Sequence, residues 1–232
     1  LPLSKVINRV EELEEINPML GTRGVRLGIT VPEIYVMQAR AIFEAACLVQ
    51  KNTGRMIRPE IMIPLVSANR EVELVKARVD AVASSVQSET GMQVKYSLGV
   101  MVETPRAALR AHDIAKTVDF MSFGTNDLTQ MTYGLSRDDA GRFMREYVNQ
   151  EIYDEDPFLT LDIHGVGELL SIAADRSRSV KSNILLGLCG EHGGDPESII
   201  FCHEAGFNYV SCSPFRTPIA RLAAAQAELM NK

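Results

Sequence analysis

The sequence predicts an α/β protein in which helices cover a parallel sheet. Short apolar runs rich in β-forming residues end in glycine, carboxylate or amide residues, and a longer stretch with helical spacing of its apolar residues follows each run. Strands that are apolar on both faces are typical of parallel sheets, because helices cover both sides. The alternation leaves two architectures open, a doubly wound sheet and a (β/α)8 barrel.

The predicted elements follow one another along most of the chain. Strands are predicted at 60–66, 96–103, 118–126, 183–190 and 208–213. Helices are predicted at 32–51, 69–88, 105–116, 160–175, 196–206 and 214–230. The connection 134–158 is long, charged and polar, and a connection of that length without secondary structure favours a functional role such as a lid.

The ends of the predicted strands favour the barrel. Polar residues capable of chemistry stand where three apolar runs stop, in Val-Met-Val-Glu-Thr-Pro (100–105), Ser-Phe-Gly-Thr-Asn-Asp (122–127) and Leu-Gly-Leu-Cys-Gly-Glu (186–191). In a barrel the carboxyl ends of all strands converge on one face, where active sites are built. We therefore expect these residues to meet in one site.

Composition and charge argue against several classes of partner. The chain has 232 residues, 46% hydrophobic and 23% charged, with a formal net charge of −6, an ordinary profile for a globular protein with one core. No stretch approaches the roughly 18 consecutive apolar residues of a membrane span, and an acidic balance is unlike a nucleic-acid-binding surface. We expect neither a membrane nor a nucleic acid as a partner.

The cysteines and the start of the chain indicate the compartment. Cys47, Cys189, Cys202 and Cys212 are irregularly spaced, which suits a reducing compartment better than a disulfide framework. The chain begins at Leu1 without the basic-then-apolar pattern of a secretory signal. We expect a cytoplasmic protein, with a plastid or another organelle left open, and a piece of a longer chain.

Two carboxylates at successive strand ends suggest a metal site. Glu103 and Asp127 would be neighbours at the mouth of a parallel barrel, and Mg²⁺ typically takes one or two protein carboxylates and leaves its other positions to water and substrate. The alternative is that Glu103 starts a helix and Asp127 caps one, since acidic residues are common at helix N-termini. The pairing of the two favours the metal.

Arg23 stands in a loop marked by glycine and proline, Asn-Pro-Met-Leu-Gly-Thr-Arg-Gly (17–24). Its guanidinium is suited to clamp a phosphate or carboxylate through two parallel hydrogen bonds. The alternative is a solvated surface arginine, which is the usual fate of this residue type.

Cys189 lies among glycines, which let a substrate approach the backbone and keep the thiol at the mouth. A free cysteine is often only a small buried hydrophobe, and we assign the other three cysteines to that class. No convincing set of four zinc ligands accompanies Cys189. Glu191 and His192 follow it, and either they order the loop and tune the thiol or they are solvated.

Four motifs together resemble the phosphoenolpyruvate-utilising enzymes. They are 17–24, quoted above, Val-Met-Val-Glu-Thr-Pro (100–105), Phe-Gly-Thr-Asn-Asp-Leu-Thr-Gln (123–130) and Gly-Leu-Cys-Gly-Glu-His-Gly-Gly-Asp-Pro (187–196). Within the family, the Glu-His-Gly-Gly-Asp-Pro continuation and the stretches 134–143 and 156–162 are similar to the dikinase branch. Enzyme I of the sugar phosphotransferase system usually has Glu-Leu-Ala-Gly-Asp there. The resemblance covers nearly the whole chain.

The resemblance implies a transferase domain that performs the pyruvate/phosphoenolpyruvate half-reaction at a (β/α)8 barrel. It implies Mg²⁺ held by Glu103 and Asp127, and Cys189 as proton donor and acceptor at the methyl carbon. The remaining substrate-binding residues that it implies are Arg23, Gly124, Thr125, Asn126 and Arg137.

The resemblance also implies partners that this chain does not contain. Five strands are predicted where a closed barrel needs eight, so we expect residues 1–232 to be the C-terminal part of the barrel, with three strands before Leu1. The phosphohistidine domain and the nucleotide-binding domain of the longer enzyme would act with it, and a homodimer is expected. Two alternatives stay open: the barrel domain of enzyme I, and an inactive fragment that binds a ligand or dimerises.

Overall fold

A parallel five-stranded sheet forms the centre of the molecule. The computed structural model describes residues 1–15 and 17–230. The strands are β1 (Glu60–Ile63), β2 (Ser97–Val102), β3 (Phe120–Gly124), β4 (Leu185–Cys189) and β5 (Tyr209–Val210). They lie in the order β1-β2-β3-β4-β5, and every neighbouring pair is parallel. The predicted α/β class and all five predicted strands are confirmed, although the strands are shorter than predicted.

The sheet is open within the part of the chain that the structure describes. Strands β1 and β5 are its edges, and each pairs on one side only. This arrangement matches consecutive βα units, because each strand pairs with the next strand along the sequence.

Helices follow each of the strands. Their bounds are α1 (Leu3–Leu13), α2 (Val25–Thr30), α3 (Pro32–Thr53), α4 (Asn69–Thr90), α5 (Pro105–Leu109), α6 (Ala111–Ala115), α7 (Thr125–Tyr133), α8 (Arg137–Ala140), α9 (Met144–Asn149), α10 (Val166–Arg178), α11 (Pro196–Glu204) and α12 (Thr217–Met230). Two 3₁₀ turns cover Glu191–Gly194 and Pro214–Arg216. Among the described helices, none is long and apolar enough to cross a membrane.

The core lies between the sheet and the helices. Every residue of β3 is buried, and β2 is buried except at Met101. The inner face of α4 is a valine stripe with spacings of three and four, the pattern of a helix with one buried face. Its members are Val72, Val75, Val79, Val82 and Val86.

Three predicted segments differ from the structure. The helix predicted at 105–116 is two short helices, because the backbone of Arg110 leaves the helical region, with φ −109°. The helix predicted at 160–175 begins at Val166, because Asp162 accepts the N–H groups of Gly165 and Val166 and holds the preceding residues in a turn. The connection 134–158 is not irregular, since it contains α8 and α9.

Five helices have no counterpart in the prediction. Helices α1 and α2 precede the first strand, α7 begins within the predicted strand 118–126, and α8 and α9 lie in the connection 134–158. The apolar residues of α1 are all exposed, so this helix packs no buried side chain against the sheet.

Candidate active site

The ends of β2, β3 and β4 bring the predicted site residues to one edge of the sheet. Val102 pairs with Phe123, and Gly124 pairs with Cys189. Glu103 directly follows β2, and Asp127 lies in the first turn of α7, which begins at the end of β3. The carboxyl ends of neighbouring parallel strands meet, as the strand-end motifs predict.

Glu103 is a buried carboxyl group in contact with a second one. Its side chain accepts the Leu65 N–H at 2.6 Å through Oε1, and the residue is 8% exposed. Burial and, second, the nearby charge of Asp127 raise the pKa of Glu103 to about 7, against the lowering effect of the Leu65 hydrogen bond. Leu65 has a φ of 59°, a conformation that non-glycine residues seldom adopt. Such backbone strain is common at functional sites.

Gly124 makes room for the Glu103 carboxylate. A Cβ at position 124 would lie 2.7 Å from Glu103 Oε2 and 3.0 Å from Glu103 Cβ. The strand therefore requires a glycine where it passes the carboxyl group.

The capping alternative does not hold for Glu103, but the structure places Asp127 at a helix N-terminus as that alternative expected. Thr104, rather than Glu103, caps α5, because its Oγ1 accepts the Ala107 N–H at 3.1 Å. Gly124 is the N-cap residue of α7, and Asp127 follows in its first turn. Glu103 therefore does not cap α5, whereas Asp127 interacts favourably with the N-terminus of α7.

Arg23 is the counter-charge of this pair. Its Nη2 donates to Asp127 Oδ1 at 2.6 Å, and its Nε donates to the Met19 carbonyl at 2.8 Å. The loop before α2 thereby places a guanidinium beside the carboxylates, where the sequence predicts a phosphate or carboxylate clamp.

Thr125 and Asn126 connect the start of α7 to the loop after β4. Thr125 Oγ1 donates to the carbonyl of Cys189 at 3.0 Å, and Asn126 Oδ1 accepts the Glu191 N–H at 3.3 Å. Gly190 has a φ of 102°, which favours glycine, and a Cβ there would lie 3.0 Å from Asn126 Oδ1. These contacts fix the loop that carries the thiol.

The thiol of Cys189 is half-buried next to the carboxyl pair. Its Sγ lies 3.5 Å from Met101 Sδ and 3.5 Å from the Phe123 carbonyl, to which it donates. Burial raises the pKa of Cys189, and the charge of Glu103 adds to the rise, while a hydrogen bond with Ser122 opposes it. The group is therefore held as a thiol at neutral pH. Cys47 and Cys202 are buried, as expected, but Cys212 is only partly buried.

Two residues near the thiol are absent from the sequence-based site. Ser122 points from β3 toward both Cys189 and Tyr209, whose ring covers Gly187 on β4. The signal for Ser122 was available, because a buried hydroxyl interrupts an otherwise apolar strand.

Arg137 lies at the rim, apart from the carboxyl pair. Its Nη2 is 3.4 Å from Glu191 Oε1, and its backbone N–H donates to Gln130 Oε1 at 2.8 Å. The side chain is 45% exposed. The structure therefore brings Arg23, Glu103, Asp127 and Cys189 together and places Arg137 on the edge of the same opening.

Comparison with known proteins decides the family. The model of the PEP-utilising enzyme, PEP-binding domain, matches residues 1–229. The chain belongs to the phosphoenolpyruvate-utilising enzymes.

The relatives of this PEP-binding domain are much longer proteins. The chain is 60% identical over 221 residues to pyruvate, phosphate dikinase of Rhizobium meliloti, a match that covers 95% of this chain and 25% of the relative. The dikinase of Clostridium symbiosum is 56% identical over 232 residues, which are 100% of this chain and 26% of the relative. The chloroplastic dikinase of Mesembryanthemum crystallinum is 53% identical over 222 residues, 96% of this chain and 23% of the relative. The chain thus spans about a quarter of the length of these proteins.

The carboxyl pair of this PEP-binding domain fits Mg²⁺ in its chemistry. In the described part of the chain, no group of three or more His, Cys, Asp or Glu side chains forms a metal cage. A pair of carboxylates beside an open edge is the donor set that Mg²⁺ takes when substrate and water complete its shell. Burial and the charge of Asp127 both raise the pKa of Glu103, and a cation between the two carboxyl groups would oppose that rise.

His192 of this PEP-binding domain is fully buried, although its position in a glycine-rich loop allowed a solvated side chain. Its Nε2 lies 3.0 Å from the carbonyl of Pro157, and its Nδ1 has no hydrogen-bond partner. Burial lowers the pKa of His192, so the ring is neutral at pH 7. Because a carbonyl only accepts, Nε2 carries the proton and donates.

Proposed function

We propose that this chain binds pyruvate and phosphoenolpyruvate and performs the half-reaction of pyruvate, phosphate dikinase that interconverts them. The proposal includes the position of residues 1–232 as the C-terminal part of a (β/α)8 barrel. A phosphohistidine domain and a nucleotide-binding domain elsewhere in the longer protein would supply the phosphoryl group. The observation that carries the proposal is the juxtaposition of a carboxyl pair, a guanidinium and a protonated thiol at one edge of the sheet.

Removal of a methyl proton from pyruvate creates negative charge on the keto oxygen. In the proposal, Glu103 and Asp127 would hold Mg²⁺. The bound cation would supply Lewis-acid stabilisation of the enolate. The N–H groups of the first turn of α7, from Thr125 to Asp127, point along the helix axis toward the same edge and favour an anion there.

Arg23 and Arg137 would bind different negatively charged groups of the substrate. Arg23 lies beside the carboxyl pair and would hold the carboxylate or the phosphate end that lies near the metal. Arg137 stands at the rim in a partly exposed ion pair with Glu191, and we assign it to the phosphoryl group. Positive groups at this place offset the charge that spreads over the equatorial oxygens during phosphoryl transfer.

Cys189 would move the proton at the methyl carbon. A thiol that is protonated at neutral pH donates a proton to C3 of the enolate and takes it back as thiolate in the reverse direction. Burial favours the protonated form, which suits the step that makes pyruvate. Ser122, through its hydrogen bond, partly offsets that effect and stabilises the thiolate.

Titration calorimetry with oxalate, a planar dianion similar to the enolate, tests the proposal. We expect binding to this chain with Mg²⁺, little binding without it, and none in Glu103→Ala. Binding that is indifferent to Mg²⁺ and to the mutation would contradict the metal site. Oxalate binding without exchange of the pyruvate methyl protons would instead favour the inactive, ligand-binding alternative.

The comparisons favour the dikinase over enzyme I of the sugar phosphotransferase system, since relatives at 53% to 60% identity are dikinases. We also propose a homodimer. Exposed apolar side chains of α12 and of the turn before it support the homodimer. They are Ile219, Leu222 and Leu229 in the helix and Phe215 in the turn. A cytoplasmic location stays a prediction, and the chloroplastic name of the Mesembryanthemum relative keeps a plastid open.

A further inference from the structure

We propose that His192 is a positioning residue that holds Arg137 at the mouth of the site by fixing the segment between α7 and α10. This segment, residues 134–165, is called the insert below. The inference rests on the proposed function, because it assigns Arg137 to the phosphoryl group. His192 itself touches no reacting atom.

The hydrogen bond between His192 and the insert is buried and has one possible direction. His192 is 0% exposed, and Nε2 donates to the Pro157 carbonyl at 3.0 Å. The other ring nitrogen has no partner, which costs free energy in a buried site. The buried imidazole therefore costs free energy of folding. In the described structure, the only hydrogen bond that the ring makes is the one to the insert.

A small cluster of apolar side chains, separate from the main core, connects Pro157 to the helix that bears Arg137. Phe158, next to Pro157, packs with Ala140 and Met144 in a cluster distinct from the main core. Ala140 is the last residue of α8, and Arg137 is the first. Fixing Pro157 thus fixes the packed unit on which the guanidinium stands.

The direct contact between the loop after β4 and Arg137 is too weak to do this alone. The Arg137–Glu191 ion pair is 3.4 Å long, and both side chains are more than two-fifths exposed. Exposed ion pairs of this kind contribute little, since solvent screens them. Its weakness also leaves Arg137 free to change partner when a phosphoryl group arrives. Adjacent residues of one loop therefore support the insert in different ways, Glu191 at the surface and His192 in the interior.

The variants His192→Phe and His192→Gln separate the hydrogen bond from packing. Phenylalanine fills the space without a donor, whereas the glutamine amide places an N–H near the position of Nε2. We expect H192F to weaken phosphoenolpyruvate binding at saturating Mg²⁺ by roughly fivefold to tenfold, the usual effect of one lost hydrogen bond. We expect H192Q to restore most of it. Oxalate has no phosphoryl group, and its affinity should change less than twofold.

Two controls exclude a general loss of stability. Val86→Ala removes buried volume in α4, far along the sequence from both loops, and should destabilise the protein without a selective loss of phosphoenolpyruvate binding. The double variant H192F/R137Q should bind phosphoenolpyruvate about as weakly as R137Q alone, because both changes remove the same contact. If H192F does not fold, His192→Asn replaces it, since its shorter amide cannot reach Pro157.

The outcomes separate this inference from the proposed function. Absence of Mg²⁺-dependent oxalate binding in the unmodified chain overturns the proposed function. Oxalate binding with equal phosphoenolpyruvate affinity in H192F and wild type overturns the role of His192 and leaves the proposed function intact. Equal losses of both ligands in H192F, or additive losses in the double variant, also overturn it. Leu161, in the insert, donates its N–H to Ser198 Oγ of α11 at 3.1 Å. Hydrogen exchange of that amide, faster in H192F than in H192Q, supports the loosened insert without reference to activity.

Discussion

The guanidinium of Arg23 donates to the carboxylate of Asp127 at 2.6 Å, across 104 positions of sequence. This ion pair links the loop before α2 to the first turn of α7. Arg23 thereby pairs with a carboxylate that we propose as a ligand of Mg²⁺. Binding of a cation at that place would release the guanidinium toward the substrate.

Replacement of Arg23 should separate metal binding from substrate binding. In Arg23→Gln, we expect Mg²⁺ to bind roughly threefold to tenfold more tightly, because a competing positive charge is removed. Phosphoenolpyruvate should bind at least about tenfold more weakly, because a charged hydrogen-bond donor is lost. Calorimetric titration of each ligand measures both effects. Arg26→Gln is the control, since Arg26 donates to the carbonyls of Leu20 and Gly21 and not to Asp127. Weaker Mg²⁺ binding in the Arg23 variant would contradict the competition.

Glu103 should make the metal-free protein less stable as the pH rises. Its pKa is raised from 4.5 to about 7 in the fold, so between these values the unfolded chain has released a proton that the folded chain retains. The free energy of unfolding therefore falls across this range, by about 3 kcal/mol at most. Glu103→Gln removes this contribution, and urea denaturation at pH 5 and pH 7.5 without Mg²⁺ measures the difference. Parallel pH profiles for wild type and variant would show that Glu103 is already ionised at pH 5.

Replacement of Cys189 should stop proton exchange at the methyl group. In Cys189→Ser, we expect exchange of the pyruvate methyl protons with solvent to slow at least about a hundredfold, the usual contribution of a positioned acid or base. Deuterium uptake followed by proton NMR measures the rate. Cys212→Ser should exchange at the wild-type rate, because Cys212 packs against α11 and α12 and its thiol contacts Thr217. Full exchange in the Cys189 variant would remove the thiol from the mechanism.

Local sequence patterns predicted the central elements because their burial is periodic. The spacing of the valines in α4 indicates a helix, and the continuous apolar run of β3 indicates a buried strand. Helix α1 was also predictable in principle, since Leu3, Val6 and Val10 recur at helical spacing, but its apolar face stays exposed. The start of α10 could not be predicted from local patterns, because the turn before it depends on hydrogen bonds to the Asp162 side chain.

The site residues that follow the ends of neighbouring strands could be predicted from the sequence. The contacts between segments that are distant in sequence could not. The parallel sheet alone brings Glu103, Asp127 and Cys189 together. The burial of His192 requires Pro157 to fold back over it, a contact across 35 positions that no local pattern contains. The ion pair of Arg23 also joins distant segments. The sequence indicates that Arg23 can bind an anionic group, but it does not indicate that Asp127 is its partner in the fold.

The close approach of Gly124 to Glu103 gives a test that changes no charged or polar group. In Gly124→Ala, the new Cβ would lie 2.7 Å from Glu103 Oε2 and 3.1 Å from Met101 Cγ, and β3 is buried on all sides. The carboxylate must therefore move, at a cost of about 1–3 kcal/mol in stability, and we expect Mg²⁺-dependent oxalate binding to weaken at least about tenfold. Gly141→Ala is the matched control, because its Cβ would meet no atom within 4 Å and its φ of −57° suits alanine. Calorimetry and thermal denaturation of both variants measure the effects. Unchanged oxalate binding in Gly124→Ala would contradict a role for the Glu103 carboxylate in holding the ligand, because that group is the nearest one that the new Cβ would displace.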